Sequence, residues 1–239
     1  MRKIGIDGFC LLLSLALSVW VLTPAPLRAQ ASGSMETGSL IANRPAGGYG
    51  TSSNEARLIS RKFAECSIRR GRLSAQRYLA APIGSSEQAR LQRQVLVDDC
   101  LGAGRLSLPH EVIRGALFEQ LYLLEYKAPP AVDLKAVAAI DYTAGYSAPV
   151  SGPAINGIAL AQFGDCVARA DAESARSLLT NLPDSKGESA AVQGLMPRLG
   201  ACIPKGRKIS FSRSVLRASV AEGLYRLTRA ADGAAWGTK

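Results

Sequence analysis

The stretch Arg114-Gly-Ala-Leu-Phe-Glu119-Gln-Leu121-Tyr122-Leu-Leu124 decides how this chain is read. It returns as Arg217-Ala-Ser-Val-Ala-Glu222-Gly-Leu224-Tyr225-Arg-Leu227 at a constant offset of 103. Placed at roughly 100° per residue, Ile113, Leu117, Leu121 and Leu124 fall on one helical stripe, and Leu216, Val220, Leu224 and Leu227 repeat it. A helix with one apolar stripe needs a core to bury it. Two copies of the same helix therefore imply two copies of what surrounds it.

Working outward, earlier blocks recur as well. Phe63-Ala-Glu-Cys66 answers Phe163-Gly-Asp-Cys166, and Arg69, Ala75 and Leu79 answer Arg169, Ala175 and Leu179, all at an offset of 100. Cys100 pairs with Cys202, and Gly104-Arg105 with Gly206-Arg207, at 102; Leu106-Ser-Leu108 matches Ile209-Ser-Phe211 at 103. The insertions that this drift requires fall in Gly-, Pro-, Ser- and Lys-rich stretches, where loops tolerate them.

The expected fold is all-α, with two tandem four-helix units related by duplication. The first helices run from about Glu55 to Arg70 and from Gly157 to Ala170, with breaks at Gly71 and Asp171. Short second helices cover Leu73–Ala80 and Ala172–Leu182, stopped by Pro82 and Pro183. The third span Glu87–Leu101 and Glu188–Cys202, and the fourth Pro109–Tyr126 and Ser212–Ala230. Strand signals are confined to the stretches before the fourth helices and to Ala138–Tyr142. In domain terms, repeat 1 occupies 54–126 and repeat 2 occupies 157–231. A Pro/Gly/Ser-rich linker at 127–156 joins them, and tails lie at 32–53 and 232–239.

The first 31 residues set the compartment. Arg2 and Lys3 precede an apolar run from Cys10 to Leu22, Pro24 and Pro26 break it, and Ala29-Gln-Ala31 offers a small-x-small cleavage site. The run is too short to span a bilayer, so the expectation is cleavage after Ala31 and a periplasmic or secreted product with no transmembrane span. Cleavage removes three basic residues and one acid, lowering the net charge from +10 to +8. That charge suits association with an anionic envelope polymer or another envelope protein, without naming a ligand.

Four cysteines remain after cleavage, two per copy. An even count in an exported chain implies disulfides, and a self-contained unit pairs its own residues: Cys66 with Cys100, Cys166 with Cys202. Each closes a loop of roughly 35 residues, worth on the order of 3–4 kcal/mol in the chain-entropy model. Metal binding lacks both CxxC spacing and paired histidines, since His110 is the one histidine in the chain. No metal and no cofactor are expected.

No nucleophile system, phosphate loop or zinc-protease signature stands out. The recurring polar positions are Arg69/Arg169, Arg105/Arg207, Arg114/Arg217, Glu119/Glu222 and Tyr122/Tyr225. Arg114, Glu119, Tyr122, Arg217, Glu222 and Tyr225 form the candidate interface or ligand face. Glu and Tyr, three apart on the fourth helix, lie opposite its leucine stripe beside Gly115 or Ala218. Two readings follow. In the first, the glutamates hold arginines and the fourth helices join the copies around a pseudo-two-fold axis. In the second, Glu119 and Glu222 form a carboxylate pair for glycan hydrolysis, although like surroundings would not split their pKa values as that chemistry needs. The clusters Arg69-Arg-Gly-Arg72 and Lys205-Gly-Arg-Lys208 could meet anionic polymers, but aromatics are not interleaved with them, so nucleic acid is not expected. Gly48-Tyr-Gly50 lies in the expected tail and carries no motif.

The pattern Phe-Gly-Asp-Cys-Val-x-Arg at 163–169, with Ala175-Arg176, Leu178-Leu179, Cys202, Arg217 and Glu222-x-x-Tyr225, resembles exported alphaproteobacterial proteins of unknown function that carry this unit. Copy one departs from it, with Ala64-Glu65 in place of Gly-Asp. The resemblance implies an envelope or secreted location in a Gram-negative bacterium and transfers no activity and no site residues.

N-terminal sequencing and non-reducing peptide mapping of the exported protein should find a start at Ser32 and bridges only within copies. A bridge between copies would break the modular reading.

Overall fold

The computed structural model describes residues 53–96, 98–101, 107–128, 133–203 and 211–233. The expected signal peptide, nearly all of the 32–53 tail, Arg105, Arg207 and the Lys205–Lys208 cluster lie outside these residues. The described residues form seven α-helices and no strand: α1 (Ser53–Ala80), α2 (Ser86–Val95), α3 (His110–Glu125), α4 (Pro153–Ala170), α5 (Ala172–Thr180), α6 (Lys186–Leu199) and α7 (Arg213–Ala231). Short 3-10 turns sit at Asp98–Cys100, Leu134–Ala136 and Gly200–Cys202.

Local chemistry sets most helix starts. Ser85 and Ser185 cap α2 and α6, their hydroxyls accepting from the Gln88 and Glu188 amides at 3.0 and 3.1 Å. The Gln88 and Glu188 side chains in turn reach back and accept from the amides of Gly84 and Asp184, each at 2.7 Å. Two donors that would otherwise be orphaned are thus satisfied at each end, as in a capping box. Asp171 caps α5 and Ser212 caps α7 in the same way. The turns before α2 and α6 also need φ > 0, which Gly84 meets at 76° and Asp184 at 66°.

Several boundaries differ from the sequence reading. The break expected at Gly71 is present: its backbone is non-helical (φ −155°, ψ 62°), so α1 is two helical stretches joined at a kink, while other boundaries shift. The third helices end earlier, at Val95 and Leu199, and their cysteines sit on 3-10 turns. α4 begins at Pro153 instead of Gly157, because a proline at the first helical position gives up no hydrogen bond. Ala138–Tyr142 is not a strand. There Asp141 accepts from the Thr143 amide at 2.8 Å and from its hydroxyl at 2.6 Å, a local turn that competes with extended pairing. Leu124, placed on the core stripe by periodicity, is 46 % exposed in the last turn of α3.

One apolar core runs through all seven helices. α7 lies at its centre, buried almost all round, with α4 along one side and α3 along another. Small residues let these backbones approach. A Cβ on Gly164 of α4 would sit 1.8 Å from the Ser219 carbonyl oxygen, and one on Gly223 of α7 would sit 2.3 Å from the Gly164 carbonyl carbon. Gly115 of α3 meets Ala218 of α7 as closely, since its Cβ would fall 2.2 Å from the alanine Cβ. Disulfides Cys66–Cys100 and Cys166–Cys202 tie α1 and α4 to the 3-10 turns, with Cα atoms 5.7 and 5.6 Å apart. Among the described residues no helix is long and apolar enough to cross a membrane, and no cluster of three His, Cys, Asp or Glu could hold a metal.

The crossings predict a sharp contrast. Gly223→Ala should cost at least about 2 kcal/mol in urea unfolding, because backbone must move to admit the methyl group. Gly200→Ala, with nothing within 4 Å of the new Cβ and helical dihedrals, should be neutral or stabilising.

Candidate functional site

Two arginines and two glutamates cross the α3–α7 contact in opposite directions. Arg217 of α7 binds Glu119 of α3 through Nε at 2.7 Å and Nη2 at 2.9 Å. Arg114 of α3 binds Glu222 of α7 through Nε at 3.1 Å and Nη2 at 2.8 Å. The arginines have further tasks, donating to carbonyls at helix ends: Leu79 at 3.0 Å for Arg114, and Leu178, Leu179 and Asn181 at 2.6–3.1 Å for Arg217. A cation at the carboxyl end of a helix satisfies orphan carbonyls and meets the negative pole of the dipole. Each glutamate takes a second arginine: Arg61 on Glu119 at 3.1 Å, and Arg226 on Glu222 at 2.9 Å.

The electrostatics follow from these contacts. Burial would raise the Glu222 carboxyl, but Arg114 and Arg226 outweigh it and hold it below the usual carboxylate range. Burial likewise favours a proton on Glu188, but Arg57, the Asp184 amide and Arg217 outweigh it and hold the carboxyl below the usual carboxylate range. Glu188 thus serves three elements, capping α6, accepting from Arg217 at 3.0 Å and pairing with Arg57 of α1. A second buried centre gathers on Glu125, which accepts from Arg72, Gln76, the Tyr225 hydroxyl and Arg229 at 2.7–3.2 Å.

The six residues singled out from sequence are brought together, but they are inside the protein. Arg114, Glu119, Tyr122, Arg217, Glu222 and Tyr225 are between 0 and 6 % exposed, so the expected face is an internal helix contact and not an open ligand surface. The α3–α7 packing buries both sides of the fourth helices, which a single-stripe reading of periodicity does not anticipate. Arg69 and Arg169 do not share a role. Arg69 is exposed beside Glu65, whereas Arg169 pairs with Asp165 and donates to the carbonyls of Leu134, Val137 and Ala138. In the Arg69–Arg72 cluster, Arg70 pairs with Asp99 and Arg72 with Glu125. His110 shares a 2.8 Å hydrogen bond with the Tyr78 hydroxyl, and burial together with Arg114 keeps its pKa below the ordinary imidazole value.

Where this ion-pair system meets solvent there is a small, half-open cleft of about 30 Å³. Arg57, Ser60 and Arg61 of α1 form one wall, Val112 and Glu119 of α3 with Ser214 and Arg217 of α7 form the other, and the Gly115–Ala218 contact is its floor. Pro183 closes one end, and its neighbour Leu182 stands 57 % exposed. Arg57, Arg61 and Glu188 were not among the sequence candidates. The signal that could have found Glu188 is the pair Ser85-x-x-Gln88 and Ser185-x-x-Glu188, again at an offset of 100.

The positions aligned with this cleft by the sequence offsets have a different fate. Gly157 and Ala161 of α4 stand where α1 has Arg57 and Arg61, and Ile83 stands where the other half has Pro183. α4 approaches so closely that a Cβ on Gly157 would lie 2.5 Å from Ile83 Cγ2. The turn-forming segment 140–150 covers this face. Gly145 rides on the Pro82 ring, the Tyr146 hydroxyl donates to the Ile83 carbonyl, and Tyr142 is buried with Ile83, Ile158 and Ala161. Arg226 lies over the Tyr142 ring at 5.4 Å, and the Tyr142 hydroxyl reaches Asp165 at 3.2 Å.

Two measurements test the ion pairs. Glu222→Gln should cost about 3–5 kcal/mol by leaving Arg114 buried without its carboxylate, while Arg114→Met combined with Glu222→Leu should recover most of that loss. Glu222 and Glu188 have folded pKa values below the unfolded ones. Their contribution is therefore complete above the unfolded carboxyl value, near about 4.3, and lost as pH falls through the folded values. The urea midpoint should drop steeply below about pH 4, and Glu188→Gln should flatten that decline.

The chain matches no known protein family, no curated protein and no solved structure.

Proposed function

We propose that this protein is an exported interaction module, built by duplication of one disulfide-stapled helical unit, whose docking face is the cleft between α1 and α3. Duplication is supported by the offsets of 100–103 and by features that obey them in three dimensions. Gly115 and Ala218, aligned in sequence, touch each other, as residues beside a pseudo-two-fold axis do; Arg114–Glu222 and Arg217–Glu119 exchange places across it; and Gly84 and Asp184 share the same left-handed turn. Export is supported by the N-terminal sequence, by the resemblance to exported alphaproteobacterial proteins and by two disulfides, which persist in oxidising compartments.

The observation that carries the docking face is the asymmetry between aligned surfaces. One is covered by a turn-forming, tyrosine-bearing stretch of the chain, and among the described residues its counterpart is open, with Leu182 exposed at the rim. The chemistry that fits the open face is an extended polypeptide presenting an aromatic side chain. The exposed Leu182 would meet the ring, and the Arg57 and Arg61 guanidinium planes would flank it.

Glycan hydrolysis by Glu119 and Glu222 gains no support from the geometry. Both carboxylates are committed to arginines, and Glu222 is held in the ionised form, opposite to what a general acid requires. Binding of an anionic glycan or lipid has one observation in its favour, the exposed arginines Arg69, Arg77, Arg90 and Arg93 on α1 and α2.

A photo-cross-linking residue placed at Leu182 in cells exporting the protein should give an adduct with one protein. The captured segment, made as a synthetic peptide, should bind the wild type at least about tenfold more tightly than Arg57→Ala/Arg61→Ala, and binding should survive high salt. Loss of all binding above about 0.5 M salt, with retention on anionic vesicles below it, would replace this reading with the polymer one.

A further inference from the structure

We propose that the outer side of α2 and of α1 from Arg69 onward is a docking face for an anionic phospholipid bilayer, with Leu73 seated among the headgroups and Arg69, Arg77, Arg90 and Arg93 on the phosphates around it. The face uses none of the cleft residues, and it stands or falls independently of the cleft.

The first argument is position. α2 folds back along the end of α1 through the short connection 81–85, and each helix buries one side, Ala75, Tyr78 and Leu79 on α1 and Gln88, Leu91 and Val95 on α2. At roughly 100° per residue, Leu73 and Arg77 stand opposite the buried side of α1, and Arg90 and Arg93 stand opposite that of α2. All four are exposed, as are Arg69 and Arg70, and Leu73 is 49 % exposed on a side that otherwise carries guanidinium groups. Glu65, Glu87 and Asp99 oppose this charge only in part. Arg70 pairs with Asp99, and Arg69 lies 3.7 Å from Glu65 with both side chains in solvent. Arg77, Arg90 and Arg93 have no carboxylate partner among the described residues.

The second argument is the contrast with the aligned face of the other half. At the offset of 100, Arg70, Leu73, Arg77, Arg90 and Arg93 correspond to Ala170, Glu173, Ser177, Ala190 and Gln193. The arginine that does recur, Arg169, is taken up by Asp165 and by the carbonyls of Leu134, Val137 and Ala138. The basic face therefore belongs to one half of the chain and is no general consequence of its net charge. Its chemistry selects the occupant. A soluble polyanion would engage the arginines and leave Leu73 in water. A bilayer engages both, because phosphates take the guanidinium groups, the arginine stems lie along apolar material, and the leucine enters the boundary between headgroups and acyl chains. Each cation near an anionic bilayer is worth about a fivefold gain in partition. Several of them with one leucine suffice for reversible attachment without a membrane-crossing helix.

The test uses the full mature chain and vesicles. In about 0.15 M salt it should co-sediment with vesicles of mixed phosphatidylglycerol and phosphatidylcholine, and stay in solution with phosphatidylcholine alone. Arg77→Gln/Arg90→Gln/Arg93→Gln, surface changes that should leave the circular dichroism spectrum unaltered, should weaken partition at least about twentyfold. In a Trp236→Phe background, Leu73→Trp places the mature chain's tryptophan at the centre of the face. Its emission should shift to the blue on the mixed vesicles and stay unchanged with dextran sulfate. No co-sedimentation with anionic vesicles, equal binding to neutral ones, or a triple variant that binds like the wild type would overturn the proposal. Binding to dextran sulfate and to anionic vesicles alike, with no blue shift on either, would also overturn it, by giving the face to a soluble anionic polymer.

Discussion

The rest of the structure depends on the contact between α3 and α7, where Gly115 meets Ala218 and two arginine–glutamate pairs cross on either side of it. Each component makes the others possible. The missing side chain at Gly115 brings the helices close enough for the guanidinium groups to reach across bidentately. The arginines then extend past their glutamates to the buried carbonyls at the ends of α1 and α5. Buried charge is expensive unless satisfied; all three nitrogens of Arg217 find acceptors, and Arg114 uses Nε and Nη2. Such an arrangement adds little net stability over apolar residues of equal size. Its effect is on geometry, since only one register of α3 on α7 satisfies both pairs at once.

That register makes the two sides of the molecule comparable, and their difference instructive. On one side α4 carries Gly157, Ala161 and Gly164, and so settles directly onto Ile83 and α7. On the other, α1 carries Arg57 and Arg61, whose volume occupies the space a close approach would need. Replacing two small residues by two long cations turns a packed contact into a lined cleft. The cations are tolerated there because Glu119 and Glu188 face them. The same substitution accounts for Leu182, which stands bare where Pro82 is covered by Gly145.

Glu188 shows how one residue can link levels of structure. Locally it completes a capping box with Ser185, a task that Gln88 performs for α2 without charge. At longer range it accepts from Arg217 and Arg57, coupling the start of α6 to α7 and to α1. A glutamate at that position therefore does what glutamine cannot, and the cleft wall depends on it.

The sequence by itself determined the helical class, the pairing of Cys66 with Cys100 and of Cys166 with Cys202, and the residues of the α3–α7 contact. Periodicity, cysteine count and offset are local or countable properties. It placed Glu119, Tyr122 and Arg114 together with Glu222, Tyr225 and Arg217, because the two sequence blocks display these residues at one constant offset. What it did not reveal is that these residues are buried. Exposure is decided by which helices pack on both faces, and a hydrophobic stripe marks only one of them. The cleft was equally hidden, because Arg57 and Arg61 look like ordinary solvated charges until α1 is set beside α3 and α7. Only the tertiary structure brings a cation from one end of the chain to a carboxylate more than a hundred residues away, as it does for Arg57 and Glu188, and no local pattern encodes that meeting.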